Sequence, residues 1–353
     1  MINSETKFDF DDILIVPNVN THITSRYKDI KLYNMLPIFT APMDTVINKN
    51  NIDVFLDNKI YPILPRTIAY SDIRYIFSEK KHENVFVSLG FGDIEDHLKS
   101  NFKNFHKNAH ILIDVANGHM QKIIDFAREI KRLRPDIIIM AGNIANSETY
   151  EWYAKNNCID YVRCGIGNGG GCLTTKNSGI GYPMASLIYE VHKVKKRLNI
   201  ENPNMKLPAI IADGGMKDYA DIVKALALGA DYVMLGSILN KSLESCADNY
   251  FHGIKINSKV ANYLFDHGYI IKKYFRGMST KQVQKAMGRT TYKTSEGVVR
   301  FRKVEYRLHG WRENFEHYLR NAMSYNHSRD LTEFIGNTKI ILITKSAYER
   351  FNK

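Results

Sequence analysis

The chain has 353 residues, 44% of them hydrophobic and 24% charged, so it can bury a large core and does not have the composition of a disordered protein. Its formal net charge is +12. The basic residues are spread along the chain, which does not favour a nucleic-acid partner and equally suits phosphorylated small molecules. The polar, acidic start MINSETKFDFDD is unlike a signal peptide, and no apolar run reaches the roughly 20 residues that span a bilayer. We therefore expect a cytoplasmic protein with no membrane partner.

Short apolar runs alternate with amphipathic, charged stretches along the chain, a pattern typical of βα units. Eight runs predict strands, at Pro37–Thr40, Tyr61–Leu64, Val85–Leu89, Ile111–Asp114, Ile137–Ala141, Tyr161–Cys164, Ala209–Ala212 and Tyr232–Leu235. Predicted helices between them include Gln121–Arg134, Ser147–Asn156 and Ala220–Leu228. Eight βα repeats indicate a TIM (β/α)8 barrel. A doubly wound sheet is the competing fold, but no G-x-G-x-x-G turn opens a helix after the first predicted strand.

Several of these predicted strands are followed by residues that could react with a ligand or bind one. They are Asp44, Asp114 with Asn117, Asn143, a cysteine loop, Asp213 and Gly236, in chain order. Because a barrel gathers the carboxyl ends of its strands on one face, these residues are expected to meet at a single site.

The cysteine loop is RCGIGNGGGCLTTKNSGIGYP, which places Cys172 after a run of glycines. Such glycines let the backbone adopt positive φ and turn its polar groups toward a ligand. Cys172 is therefore a candidate nucleophile, and the alternative is a flexible surface loop with an incidental thiol. The four cysteines form no C-x-x-C pair and have no histidine at metal-ligand spacing, which predicts reduced thiols.

Two stretches exceed what a minimal barrel needs. Residues 193–207 lengthen the connection before the seventh predicted strand, and residues 241–275 follow the eighth. The glycine and threonine clusters at Gly277, Gly288–Thr291 and Ser295–Gly297 predict a mobile flap beside the barrel mouth, with a disordered insertion as the alternative. We expect one catalytic domain over residues 1–353, with the flap and insertions at about 241–300.

Motifs along the whole chain resemble one known family, that of the inosine monophosphate dehydrogenases and guanosine monophosphate reductases. The matching segments, in order, are FDFDDILIVPN, PIFTAPMDTV, IDVANGH, IMAGNI, GIGNGGGCLTT with SGIGYP, IADGGM, YVMLGS, FRGMS and TYKTSEG. The resemblance implies an oxidoreductase that forms a covalent purine adduct on Cys172. It also implies that Thr174 and Glu296 handle the proton for a departing ammonia.

The resemblance favours the reductase branch of the family. The interval from Gly277 to Glu296 is short, Arg289 and Tyr292 are not the adjacent dyad with which the dehydrogenases activate water, and no CBS domain pair interrupts the chain after the second predicted strand. The segments YVMLGS and FRGMS resemble the corresponding dehydrogenase sequences more closely than those of the reductases. A dehydrogenase and a nucleotide- or RNA-binding barrel without catalysis therefore remain the alternatives.

The resemblance also implies which residues bind ligands. The purine nucleotide is expected at Asp213, Gly214, Gly215, Gly236, Ser237, Met278, Ser279, Lys293 and Gly297, the cofactor NADPH at Ser25, Arg26, Arg66, Asp114 and Asn117, and a monovalent cation, potassium, on the carbonyls of Gly167, Gly169 and Cys172. A homotetramer is expected.

The chain departs from the family pattern at three of these places. Gly170 replaces a serine, which removes one expected phosphate contact, Thr175 (followed by Lys176) replaces an arginine, and Lys293 replaces an arginine that contacts the base. Because lysine lacks the bidentate fork of arginine, these changes leave open a deoxy or modified guanine nucleotide as the substrate.

Overall fold

The structure is a computed structural model that describes residues 5–69, 71–73, 76, 82–103, 105, 107, 109–277, 280 and 298–351. Its strands are β1 Ile13–Val16, β2 Ile38–Thr40, β3 Ile63–Leu64, β4 Phe86–Leu89, β5 His110–Asp114, β6 Ile138–Ile144, β7 Tyr161–Cys164, β8 Ala209–Asp213, β9 Tyr232–Leu235, β10 Asn249–Phe251, β11 Ile254–Ile256, β12 Lys272–Arg276, β13 Val299–Lys303 and β14 Lys339–Leu342. All eight predicted barrel strands are confirmed, with ends that differ by at most a few residues.

Strands β2 to β9 form one parallel sheet in the order β2-β9-β8-β7-β6-β5-β4-β3. The two edge strands meet each other, because the amide of Tyr61 donates to the carbonyl of Ile38 and the amide of Thr40 donates to the carbonyl of Tyr61, both at 2.9 Å. The sheet is therefore closed, and the predicted TIM barrel is confirmed. Closure leaves this sheet without a free edge.

Side chains from every barrel strand fill its interior. Buried members of this cluster are Phe39, Ala41, Ile63, Phe86, Leu112, Met140, Ile211 and Met234. Around Phe39 the rings of Tyr61, Tyr161 and Tyr232 lie with centroids 5.0 to 6.0 Å away, in tilted or edge-to-face orientations. The lower part of the barrel is thus a packed aromatic core, which leaves the carboxyl ends of the strands as the place for a ligand.

The described helices are α1 Ile52–Asp57, α2 Phe91–Lys99, α3 Gln121–Leu133, α4 Ser147–Asn156, α5 Thr174–Ser178, α6 Met184–Glu201, α7 Tyr219–Leu228, α8 Ser237–Asn240, α9 Ser258–Asp266, α10 Leu308–Tyr325, α11 Leu331–Phe334 and α12 Lys345–Phe351. Local sequence sets their ends. The side chain of Asn146 accepts from the amide of Thr149 at 2.8 Å to begin α4, and Gly229, with φ of 115°, ends α7. Residues 193–201 of the first predicted insertion simply continue α6.

The second predicted insertion is largely regular structure. Strands β10 to β13 form an antiparallel sheet in the order β11-β10-β12-β13, and α9 lies between β11 and β12. A small core of Leu243, Ala261, Ile271 and Val304 holds this unit together. The part of the predicted flap at residues 278–297, apart from Thr280, lies outside the described residues.

The chain ends meet on a separate two-stranded sheet, in which β1 pairs antiparallel with β14. Among the described helices, none combines the length and the apolarity needed to cross a lipid bilayer.

Candidate active site

The loop from Gly165 to Cys172 follows β7 and opens on a cavity of about 930 Å³ at the carboxyl ends of the barrel strands. Its lining combines residues from the ends of all eight barrel strands or the loops that follow them, among them Arg66, Asp114, Asn143, Cys172, Asp213 and Ser237. The volume is at the upper end of the roughly 300–1,000 Å³ that small-molecule sites have. Of the residues expected to meet at one site, Asp114, Asn143, Cys172, Asp213 and Gly236 line this cavity, whereas Asp44 and Asn117 do not.

The thiol of Cys172 is half-buried beside this cavity, and its Sγ lies 3.2 Å from Oγ1 of Thr174. Hydrogen bonds hold the loop on both sides of the thiol. The amide of Cys172 donates to the carbonyl of Gly169 at 2.9 Å, and the amide of Val298 donates to the carbonyl of Gly171 at 3.1 Å. The thiol and the hydroxyl are thus positioned as a pair.

The other three cysteines are poorly suited to nucleophilic chemistry. Burial raises the pKa of the thiols of Cys158 and Cys164, and it raises the pKa of Cys246 to about 12. A thiol with a raised pKa carries little reactive thiolate at neutral pH. Cys172, which lines the cavity, is therefore the candidate nucleophile among the four.

Two glycines in the loop are required by its conformation. Gly167 has φ of 83°, and a β-carbon there would lie 1.7 Å from Oγ1 of Thr175. Gly165 has φ of 132°, and a β-carbon there would lie 2.5 Å from the carbonyl oxygen of Asp213. A larger residue at Gly165 would push the loop away from β8, and one at Gly167 would push it away from Thr175, so the two glycines keep the thiol close to the barrel.

A buried arginine that the sequence reasoning missed organises the floor of the cavity. The guanidinium of Arg163 donates to Asp114 at 2.7 Å and to Asp213 at 2.8 and 3.2 Å. Burial alone would lower the pKa of Arg163, but the two carboxylates outweigh that effect and raise it. Asn143 adds a bond from Nδ2 to Asp213 at 2.7 Å. The signal in the sequence was a charged residue inside the apolar run YVRC, because a buried charge requires partners.

The residues expected around a nucleotide phosphate line the cavity together. Gly214, Gly215, Gly236 and Ser237 come from the ends of β8 and β9. A β-carbon on Gly214 would lie 2.9 Å from the amide nitrogen of Gly169, so the two glycine loops are in close contact. Their backbone N–H groups are therefore available at one wall of the cavity.

The residues expected around the cofactor are divided between two places. Arg66 and Asp114 line the cavity, where Nη1 of Arg66 lies 3.4 Å from the carbonyl oxygen of Asp114. Asn117 is exposed and accepts from the amide of His119, and it does not line the cavity. Ser25 and Arg26 also lie away from the lining.

Ser25 and Arg26 make hydrogen bonds with residues that do not line the cavity. The amide of Ser25 donates to Asp29 at 2.9 Å, and the carbonyl of Arg26 accepts from Arg320 at 3.1 Å. The roles expected for them, and for Asn117, stay predictions.

The remaining expected site residues, Met278, Ser279, Lys293, Glu296 and Gly297, lie outside the described residues, so their roles stay predictions as well. The ends of that segment are described and are close together. The amide of Gly277 donates to the carbonyl of Val298 at 3.0 Å, and Val298 in turn contacts Gly171. The segment therefore begins and ends beside the cysteine loop.

The fold and the site together define a TIM-barrel enzyme in which a cysteine lines a polar cavity. Comparison with known proteins identifies the family. A family model described as IMP dehydrogenase / GMP reductase domain matches residues 78–351. Similar proteins include the GMP reductase of Caenorhabditis elegans, 26% identical with 99% of this chain and 96% of the relative covered, and GMP reductase 2 of Homo sapiens, 26% identical with 100% and 99% covered. GMP reductase 2 of Bos taurus is 28% identical, with 84% and 82% covered. The chain belongs to the IMP dehydrogenase / GMP reductase family.

Proposed function

We propose that this protein is a GMP reductase, which converts GMP to IMP and ammonia with NADPH as the reductant. The observation that carries the proposal is the position of Cys172, whose thiol lines the same cavity as Asp213 and the glycines at the ends of β8 and β9. A nucleotide whose ribose and phosphate occupy that wall presents its base toward the thiol. The names of the relatives described above support the same reaction.

The residues suggest a two-stage reaction. The sulfur of Cys172 adds to carbon-2 of the guanine, and the exocyclic nitrogen leaves as ammonia after it receives a proton. Thr174, whose Oγ1 lies 3.2 Å from the sulfur, is placed to pass on the thiol proton, and Glu296 is proposed as its partner. The carbon–sulfur bond then breaks when carbon-2 receives a hydride, and the thiolate departs. One covalent adduct thus divides a difficult substitution into two easier steps.

NADPH would supply that hydride when it is bound. The residues present fit such a group, because Arg66 lines the cavity and its buried Nε has no hydrogen-bond partner in the described part of the chain. A guanidinium with a free donor suits a phosphorylated ligand. Asp114 beside it is held in place by Arg163, which fixes one acceptor on the cofactor side of the cavity.

We also propose a potassium ion on the carbonyls of Gly167, Gly169 and Cys172. An independent observation fits a cation in this loop: Oδ1 of Asn168 is buried and accepts no hydrogen bond within the described ranges. The Nδ2 of the same side chain donates to the carbonyl of Tyr182 at 2.9 Å, which fixes the orientation of the amide. A buried oxygen without a donor is satisfied by a hard cation.

Three further proposals concern the whole molecule. The chain acts as one catalytic domain. It acts in the cytoplasm, which four unpaired cysteines support. It assembles as a homotetramer, and the location of Ser25 and Arg26 outside the cavity supports this, because residues expected at the cofactor would then act in a neighbouring subunit. Sedimentation of the purified protein tests the assembly.

The test of the function is to incubate the purified protein with GMP and NADPH and to follow the loss of the reduced cofactor and the release of IMP and ammonia. Incubation with IMP and NAD tests the dehydrogenase reaction in parallel. We expect turnover only in the first mixture, no turnover in Cys172→Ala, and normal turnover in Cys158→Ala, which removes a buried thiol at the opposite end of β7. Turnover only of IMP, or an active Cys172→Ala variant, would overturn the proposal.

A further inference from the structure

One cationic side chain beside the cavity has no assigned role. Arg302, on β13, places its guanidinium 4.2 Å from the centre of the Phe275 ring. The point where a β-carbon on Gly170 would lie is 3.4 Å from Nη2 of Arg302 and 3.9 Å from Oγ of Ser237. Gly170, Ser237 and Phe275 all line the cavity. The arginine thus flanks the wall to which the phosphate of the nucleotide has been assigned.

The guanidinium lacks the partners that a half-buried cation normally has. Its Nε is buried and makes no hydrogen bond, and no carboxylate in the described part of the chain forms an ion pair with Arg302. Burial lowers the pKa of Arg302, and the nearby charge of Arg300 lowers it further. The contact with the Phe275 ring is a cation–π contact, which uses the face of the guanidinium rather than its N–H donors. An unpaired cation of this kind is stabilised by an anion.

We propose that Arg302 binds the 5′-phosphate of the purine nucleotide and replaces the contact that a serine at position 170 would supply. This inference rests on the proposed function. The absence of a side chain at Gly170 leaves this space open beside the guanidinium, because the β-carbon of a serine there would lie 3.4 Å from Nη2, in van der Waals contact with it. Arginine suits the task, since its fork donates two parallel hydrogen bonds to phosphate oxygens with a full charge.

Direct binding measurements test the proposal without requiring turnover. Calorimetry compares GMP with guanosine, which lacks the phosphate, on the parent and on Arg302→Met. Loss of charge-assisted hydrogen bonds is expected to weaken GMP binding about 10- to 100-fold, while guanosine binding stays unchanged. Lys303→Met is the matched control, because it removes one charge from the neighbouring, exposed position of β13 and is expected to leave both affinities unchanged.

Two further variants keep the test decisive. Arg302→Lys retains a charge but not the fork and is expected to show an intermediate loss, which serves if Arg302→Met does not fold. Gly170→Ser combined with Arg302→Met is expected to recover part of the affinity for GMP. Unchanged GMP affinity in Arg302→Met, an equal loss in Lys303→Met, or an equal loss for guanosine would each overturn the role of Arg302. If the parent binds GMP through Arg302 and yet never reduces it, the proposed reaction fails while the phosphate contact stands.

Discussion

Replacement of Arg163 by methionine tests the electrostatic floor of the cavity. The side chain is 8% exposed, and its two carboxylate partners, Asp114 and Asp213, are 19% and 15% exposed. Methionine keeps most of the apolar volume but removes the charge. Two carboxylates would then face one cavity without a cation between them.

The expected loss follows from these contacts. Removing one member of a buried ion pair costs about 3–5 kcal/mol, because the other charge stays buried without compensation. Two features favour the lower end: both carboxylates keep some contact with solvent, and Asn143 still donates to Asp213 at 2.7 Å. We therefore expect Arg163→Met to lower the free energy of unfolding by about 3 kcal/mol.

Denaturant unfolding of the ligand-free protein at a fixed protein concentration measures this loss, since assembly makes stability depend on concentration. Adding Asp114→Asn to Arg163→Met removes one of the stranded charges. The double variant is therefore expected to be more stable than the sum of the two single losses implies. A loss below about 1 kcal/mol in Arg163→Met, or simple additivity in the double variant, would refute this reasoning.

Three other predictions concern separate parts of the molecule. Thr174→Val removes the hydroxyl 3.2 Å from Cys172 and is expected to lower kcat about 10²- to 10⁴-fold with little change in KM. An unchanged kcat would show that Thr174 takes no part in proton transfer. Gly167 and Gly253 share a φ of 83°, but only at Gly167 would a β-carbon meet other atoms. Gly253→Ala should therefore lower the free energy of unfolding by about 1 kcal/mol and leave activity unchanged, whereas Gly167→Ala should abolish turnover. Equal activity losses in the two variants would contradict this. Burial raises the pKa of Asp221 to about 6, so the free energy of unfolding falls as the pH rises from about 4 through that value. In denaturant unfolding, the stability of Asp221→Asn relative to the parent should therefore be up to about 2 kcal/mol higher at about pH 8 than at about pH 4. A stability difference between variant and parent that does not vary with pH would be the opposite result.

The barrel was predictable because its signals are local. A strand such as Ile111–Asp114, apolar throughout and closed by a carboxylate, indicates both a buried parallel strand and the face on which its last residue lies. Asp213 and the loop to Cys172 follow the same pattern at β8 and β7. Eight such runs predict the barrel, and the barrel in turn brings these residues to one cavity.

The contacts that join distant parts of the chain were not predictable in the same way. Arg163 reaches carboxylates 49 and 50 residues away in sequence, and Arg302 reaches the vicinity of Gly170 only because β13 pairs with β12. The strands of the small sheet are short and partly exposed, so their apolar pattern is weak, and the sequence predicts only an insertion and a flap in this region. Such pairings depend on tertiary structure rather than on local sequence.

The position of the thiol depends on two sheets rather than one. On the barrel side, the glycine loop contacts Gly214, where a β-carbon would lie 2.9 Å from the amide of Gly169. On the other side, Val298 leads into β13 and donates to Gly171, and Gly277, directly after β12, donates to Val298. A change that shifts the small sheet relative to the barrel therefore displaces the nucleophile without touching it. Rigid support from both sides is what covalent chemistry requires, since a displacement of about 1 Å can cost about 10²-fold in rate.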